Sequence, residues 1–384
     1  MASIQTIQQA EQSMSGEFDF NKGNLRDPDA LIDYLEAFGD THAEIERNIT
    51  LLQRTPEDSA RIHSLFRSLH TLKSNAAMLQ LDFMVAFLHP LEDLVGSVRV
   101  AHIPFTPQIA EVILLSVDRA RLAADAAESG HSLDSMQLEP IAMALRELSK
   151  LDATQVQARI PGVIRLFGGA LAEDKGMVQL PPSAVLPVVK SGQDHPRKAD
   201  LELFWRLALM TERRSMYWDG RTARILPLAL ETNHVAGSPI DPVQLEAAVY
   251  MHDVGMAFLG EAIWAKTGKF TDLELREMRT HPVIGSEIIR RMDGWQAAAE
   301  MVAQHHERPN GLGYPFSLKT EQICKGATLL GVIDAFEAMT HERGDRYHKK
   351  SIVRTISEIN ASEGQFGREW IEPFNKVIRR MLAQ

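Results

Sequence analysis

Apolar positions fall three and four residues apart along most of the chain, and no alternating run is long enough to build a large sheet. Pairs such as Leu31/Leu35 and Ile45/Ile49 set this pattern between Asp27 and about Lys150. Spacing of one helical turn predicts a bundle of amphipathic helices. Asp27-Pro28 opens the first, a capping residue before a proline at the first helical position. Thr55-Pro56-Glu57-Asp58 opens another, its acids matched to the positive helix end. Between 151 and 198 the texture changes, with Gly168-Gly169, Pro181-Pro182 and Ser191-Gly-Gln-Asp-His-Pro196 breaking up short apolar pieces. That stretch reads as a connection, with room for a small helix or strand of its own. Helical periodicity resumes after Ala199. The expected architecture is all-α, with an N-terminal segment over 1–26, a helical bundle over 27–150, a short irregular linker over 151–198 and a second helical domain over 199–384.

Within the first bundle, the segment Ile62–Ala77 places Ile62, Leu65, Phe66, Leu69, Leu72 and Ala76 on one stripe at about 100° per residue. His70 projects to the flank of that stripe, together with Arg67, Lys73 and Ser74. An imidazole there, with a cation one turn away, suits reversible phosphoryl transfer. Spacing alone favours an ordinary surface histidine on a polar face.

Charge narrows the field. The balance of 41 basic against 51 acidic side chains gives −10, which speaks against DNA or any partner held by bulk positive charge. A single cysteine, Cys324, excludes an internal disulfide framework and fits a reducing compartment. The absence of a secretory pattern and of a long uncharged apolar run predicts a cytoplasmic protein without membrane insertion.

The second half concentrates nitrogen and carboxylate ligands: His252-Asp253, His281, His305-His306 and Asp334. Adjacent residues at a helix end point about 100° apart, so such pairs can serve neighbouring metals, or one metal and the groups that orient its ligands. A donor set without thiolate suits iron, manganese, zinc or nickel better than calcium. Any one of these histidines taken singly reads as a surface or hydrogen-bonded residue.

Two resemblances give these clusters roles. Leu69-His70-Thr71-Leu72-Lys73-Ser74-Asn75-Ala76, followed by His89-Pro-Leu-Glu92-Asp-Leu94, resembles the histidine phosphotransfer (HPt) domain over roughly residues 20 to 130. The resemblance implies that His70 is the phosphoacceptor, that Lys73 balances the phosphate, and that Glu92 holds the other ring nitrogen. It also implies a histidine kinase or response-regulator receiver as partner, since no nucleotide-binding element accompanies the motif. His252-Asp-Val-Gly255, Thr280-His-Pro282, His305-His-Glu-Arg-Pro-Asn-Gly-Leu-Gly-Tyr-Pro315 and Val332-Ile-Asp334 resemble the HD-GYP family of cyclic di-GMP phosphodiesterases over about residues 200 to 384. That implies an HD-superfamily helical domain with one or two divalent transition metals on His252, Asp253, His281, His305, His306 and Asp334. Asp253 would bridge the metals, and Tyr314, Arg343 and Arg346 would contact cyclic di-GMP.

The departures from the two patterns are specific. Ser74 replaces a glycine, and Pro90 falls inside a helix, where it is expected to remove a backbone bond and kink the chain. Arg221 stands where the HD-GYP pattern begins with a histidine, and a guanidinium cannot ligate a cation. Tyr217 replaces the glutamate of a third metal site, Met256 a phosphate-binding lysine, and Asn310 and Glu337 two aspartates. The implied function is a phosphorelay protein in which phosphotransfer at His70 regulates a weakened cyclic di-GMP phosphodiesterase. The alternative is an inactive HD-GYP domain that binds nucleotide or a partner such as a diguanylate cyclase.

Overall fold

The computed structural model describes residues 28–168, 197–264, 266, 270–341, 349–362 and 364–382. Among the described residues there is no strand, and one isolated bridge pairs Asn310 with Lys319. The chain is all-α, as its periodicity predicts, and divides into two compact units, 1–177 and 178–384. No helix among the described residues is long and apolar enough to cross a membrane.

The first unit is built from α1 (Pro28–Leu52), α2 (Ser59–Met78), α3 (Asp82–Arg99), α4 (Pro107–Glu128), α5 (Leu138–Leu148) and α6 (Ala153–Gly168). Helix α2 packs between α1 and α3, while α4 lies against α1 and α6. Tyr34, Phe38, Leu65, Leu72, Phe87 and Leu115 fill the middle, each almost fully buried. The start of α2 lies at Ser59 rather than in Thr55–Asp58, because the Asp58 carboxylate accepts the Arg61 N–H at 3.1 Å and caps the helix there. Helix α3 continues through Pro90 without a break, with the proline itself buried.

Residues 153–168, assigned by their punctuation to the connection, form a helix that packs on α4 and α5. Its Val156, Ile160, Val163 and Phe167 are buried at helical spacing. Burial of that stripe outweighs the local cost of Pro161 and Gly162. The remainder of the expected linker, 169–196, and the N-terminal segment lie outside the described residues.

The second unit contains α7 (Lys198–Glu212), α8 (Arg221–Val235), α9 (Pro242–Met251), α10 (Glu261–Trp264), α11 (Asp272–Met278), α12 (His281–Arg290), α13 (Gln296–Gln304), α14 (Lys325–Thr340), α15 (Ile352–Ala361) and α16 (Arg368–Leu382). Helix α9 is buried on nearly every side, against α7, α8 and α13. Helix α14 packs on α8, α13 and α15. The ends of α9 and α13, the start of α12 and the middle of α14 thereby face one another. Gly255 makes this possible. A Cβ there would come within 2.0 Å of the His281 carbonyl oxygen, so only glycine lets the turn after His252-Asp253 press against the start of α12.

Candidate functional sites on the two domains

In the first unit, His70 stands on the flank of α2 with its side chain 57% exposed, while the Glu92 side chain is 7% exposed. His70 Nδ1 lies 2.6 Å from Glu92 Oε1, and Lys73 Nζ pairs with Glu92 Oε2. A carboxylate accepts only, so Nδ1 carries the proton and the lone pair of His70 lies on Nε2. The ring stacks on Phe66 at 6.4 Å, and Phe66 in turn lies under the Arg99 guanidinium at 3.8 Å. Burial pushes the Glu92 carboxyl upward, but its bonds to Lys73 and His70 outweigh that and hold it below the usual range. The three side chains singled out by the sequence therefore meet in one hydrogen-bonded group, despite Pro90.

A second, smaller group in this unit is His42, Glu46 and Asp118, where His42 Nε2 lies 3.1 Å from Asp118 Oδ1 and ties α1 to α4.

In the second unit, three histidines occupy helix ends, where backbone carbonyls lack intrahelical donors. His252 follows α9 and its Nδ1 lies 2.7 Å from the Val249 carbonyl oxygen. His305 follows α13 and its Nδ1 lies 2.7 Å from that of Val302. His281 opens α12, with Nδ1 2.6 Å from the carbonyl oxygen of Met278 at the end of α11. Each ring thus donates to a carbonyl three residues back, and the same bond aims Nε2 inward. Among the described residues, the buried Nε2 atoms of His281 and His305 have no hydrogen-bond partner, while that of His252 lies 3.1 Å from Asp253 Oδ2. Asp253 Oδ1 lies 3.5 Å from His281 Nε2 and 4.0 Å from His305 Nε2.

Ligand atoms of Asp253, His281, His305 and His306 lie within 4.8 Å of one another. Donors about 2.0–2.2 Å from one ion are separated by such distances, so the four fit a single divalent transition metal. Burial, reinforced by the neighbouring imidazoles, lowers His305 to about 3 and holds His306 well below the ordinary histidine range. His281 is lowered chiefly by burial. Neutral imidazoles are the form that ligates. Asp253 resists the upward push of burial because His252 and Arg221 hold its carboxyl well below the usual value.

Ligand atoms of His252, Asp253 and Asp334 form a second group, also within 4.8 Å of one another. Here Arg221 intervenes. Its Nε and Nη2 lie 3.2 and 3.1 Å from Asp253 Oδ2, its Nη2 also bonds Asp334 Oδ1, and its Nη1 bonds Glu337 Oε2. Arg224 reaches the same Glu337 with Nη2 at 2.6 Å.

Tyr314 stacks on His306 at 4.7 Å and donates its hydroxyl to Met278 Sδ at 3.7 Å. It edges a cleft whose lining includes His306, Asp334, Arg308, Gln365 and Phe366. Arg343 and Arg346 lie outside the described residues.

The Hpt domain family matches residues 29–130, and the HD domain family matches residues 210–369. The chain joins an Hpt domain to an HD domain. Among curated proteins it is 30% identical over 179 residues to a cyclic di-GMP phosphodiesterase of Thermotoga maritima, covering 46% of this chain and 48% of that protein. It is 33% identical over 145 residues to the cyclic di-GMP phosphodiesterase PA4108 of Pseudomonas aeruginosa, covering 36% and 34%. It is 27% identical over 135 residues to the 3′3′-cGAMP-specific phosphodiesterase 3 of Vibrio cholerae, covering 35% and 29%. The chain therefore spans half or less of these relatives' lengths.

Three features of the HD domain carried no spacing signal. Glu307 is buried and accepts the Phe316 and Leu318 N–H groups at 2.6 and 2.9 Å, which fastens the Gly-Tyr-Pro loop. Asn310 donates its N–H to the Gly364 carbonyl at 2.9 Å, bringing Gln365 and Phe366 to the cleft. Glu337, which looks like a mild exchange in the sequence, is long enough to meet both Arg221 and Arg224.

Proposed function

We propose that the HD domain is a metal-dependent phosphodiesterase acting slowly on cyclic di-GMP, and that phosphotransfer at His70 regulates it. The convergence of the Asp253, His281, His305 and His306 ligand atoms beside an open cleft carries this reading. The names of the relatives agree with the substrate class, and the Hpt domain agrees with a histidine kinase or receiver domain as partner.

When bound, a divalent ion of iron, manganese, zinc or nickel supplies Lewis acidity towards the phosphate oxygens and lowers the pKa of a water. The chain's own residues do the rest. Three backbone-anchored imidazoles fix the ligand geometry, Tyr314 bounds the cleft, and Asp253 and Asp334 bring negative charge that the ion and Arg221 offset. In the Hpt domain, His70 Nε2 would bond phosphorus as the phosphorus–oxygen or phosphorus–nitrogen bond of the donor breaks. Glu92 keeps the Nδ1 proton and Lys73 faces the incoming charge.

A second reading, a silent module that binds nucleotide or a diguanylate cyclase, draws support from Met256. This side chain is buried in an apolar cluster with Leu259 and Ile263, where the HD-GYP pattern has a phosphate-binding lysine. Metal-loaded full-length protein decides between the two. The first expects hydrolysis of cyclic di-GMP that a chelator removes, with 3′3′-cGAMP as the competing substrate. Binding of cyclic di-GMP without turnover at any metal supplied would leave the second.

A further inference from the structure

We infer that Arg221 is a built-in cation that occupies the place of a second metal ion, so that the HD domain holds one metal beside one guanidinium. This deepens the proposal above and rests on its reading of Asp253, His281, His305 and His306 as a metal site.

The second ligand group is complete enough to invite an ion, since His252, Asp253 and Asp334 converge. A divalent ion does not fit there with Arg221 in its observed position. Both carboxylates already accept from its N–H groups, Asp253 through Oδ2 and Asp334 through Oδ1. Four donor contacts leave the guanidinium almost saturated, and its positive charge opposes that of any ion drawn to the same oxygens.

Arg221 is also held there by groups that have no part in ligating metal. Its side chain is 9% exposed, and its guanidinium carbon lies 4.9 Å from the Trp218 ring centroid. Glu337 adds a third carboxylate, and Arg224 shares it from the other side. Two exchanges noticed separately in the sequence, Arg221 for a histidine and Glu337 for an aspartate, are therefore the two ends of one contact. A fixed guanidinium offsets one unit of the negative charge on Asp253 and Asp334, but it cannot take water as a ligand. The arrangement supplies half of a second divalent ion's charge and none of its ability to activate water.

The test counts metal in the full-length chain after loading with Mn2+ and dialysis. A His281→Ala/His305→Ala variant sets the baseline for manganese held elsewhere, including at His42, Glu46 and Asp118. The wild type is expected to retain one equivalent above that baseline and to give the spectrum of an isolated Mn2+ ion in electron paramagnetic resonance. Arg221→His is expected to retain two equivalents and to give an exchange-coupled pair, while Arg221→Lys stays at one. Two equivalents in the wild type or in Arg221→Lys would overturn the inference and leave the metal-site reading intact. So would one equivalent in Arg221→His with wild-type circular dichroism. A wild type at the baseline would overturn both. Should Arg221→His fail to fold, the wild-type and Arg221→Lys counts still decide.

Discussion

Arg221→Ala is expected to destabilise the chelator-treated HD domain by about 3–5 kcal/mol, the cost of removing one partner from a buried ionic group. The variant leaves Asp253, Asp334 and Glu337 facing one another with Arg224 as the remaining cation on Glu337. Cavity formation beneath Trp218 adds to the loss, since the guanidinium packs against that ring. Thermal unfolding in chelator measures the effect, and adding Mn2+ or Zn2+ is expected to reverse part of it in the alanine variant, because an ion can then enter between the carboxylates. A melting temperature unchanged from wild type in chelator would mean that the guanidinium contributes nothing to holding these acids together.

His70→Ala is expected to abolish phosphate uptake from any acyl-phosphate or phosphohistidine donor, because among the described residues His70 is the imidazole hydrogen-bonded to Glu92, and the Lys73 ammonium on the same carboxylate has no lone pair to offer. His89 is the nearest alternative, but its Nδ1 lies 4.0 Å from Glu92 Oε2. Glu92→Gln should slow uptake on the order of ten- to a hundredfold, matching the 1.5–3 kcal/mol typical of a hydrogen bond to a charged group. Lys73→Ala should act in the same direction and less strongly on the orientation of His70. Transfer of labelled phosphate, followed over time, measures all three.

The pH dependence has a definite sign. Glu92 is held below its ordinary value, so its contribution to stability is fully present above the unfolded glutamate pKa and is lost as pH falls through the lower folded value. Glu92→Gln should lack that acid limb, while the wild-type Hpt domain keeps it. Equal acid sensitivity of the two would count against the ion-paired form of Glu92.

Much of the site was legible because its chemistry sits at sequence-local positions. The apolar stripe of α2 placed His70 on an exposed flank, and the structure finds Leu65, Leu69, Leu72 and Ala76 buried beneath it. The histidines of the HD domain lie beside glycines and prolines that end or begin helices, and those ends are what converge. Other features were illegible for the opposite reason. Contacts of Arg221 with Asp253 and Glu337 span 32 and 116 residues, so no local pattern joins them. Helix α6 falls at the start of a stretch read as a connection from Gly168-Gly169 and the breakers beyond it, yet Val156, Ile160, Val163 and Phe167 are buried on the bundle despite Pro161 within the helix. In α3, Pro90 looked disruptive from its backbone chemistry alone, yet burial on both sides of it keeps the helix continuous.

The way three imidazoles are oriented has a consequence for how such a domain can change over time. His252, His281 and His305 are each steered at Nδ1 by a main-chain oxygen three residues behind them. Substitutions in the surroundings can therefore accumulate without turning the rings, provided the helix ends stay in place. A cage of this kind can tolerate change in the side chains around it as long as the three backbone oxygens keep their positions.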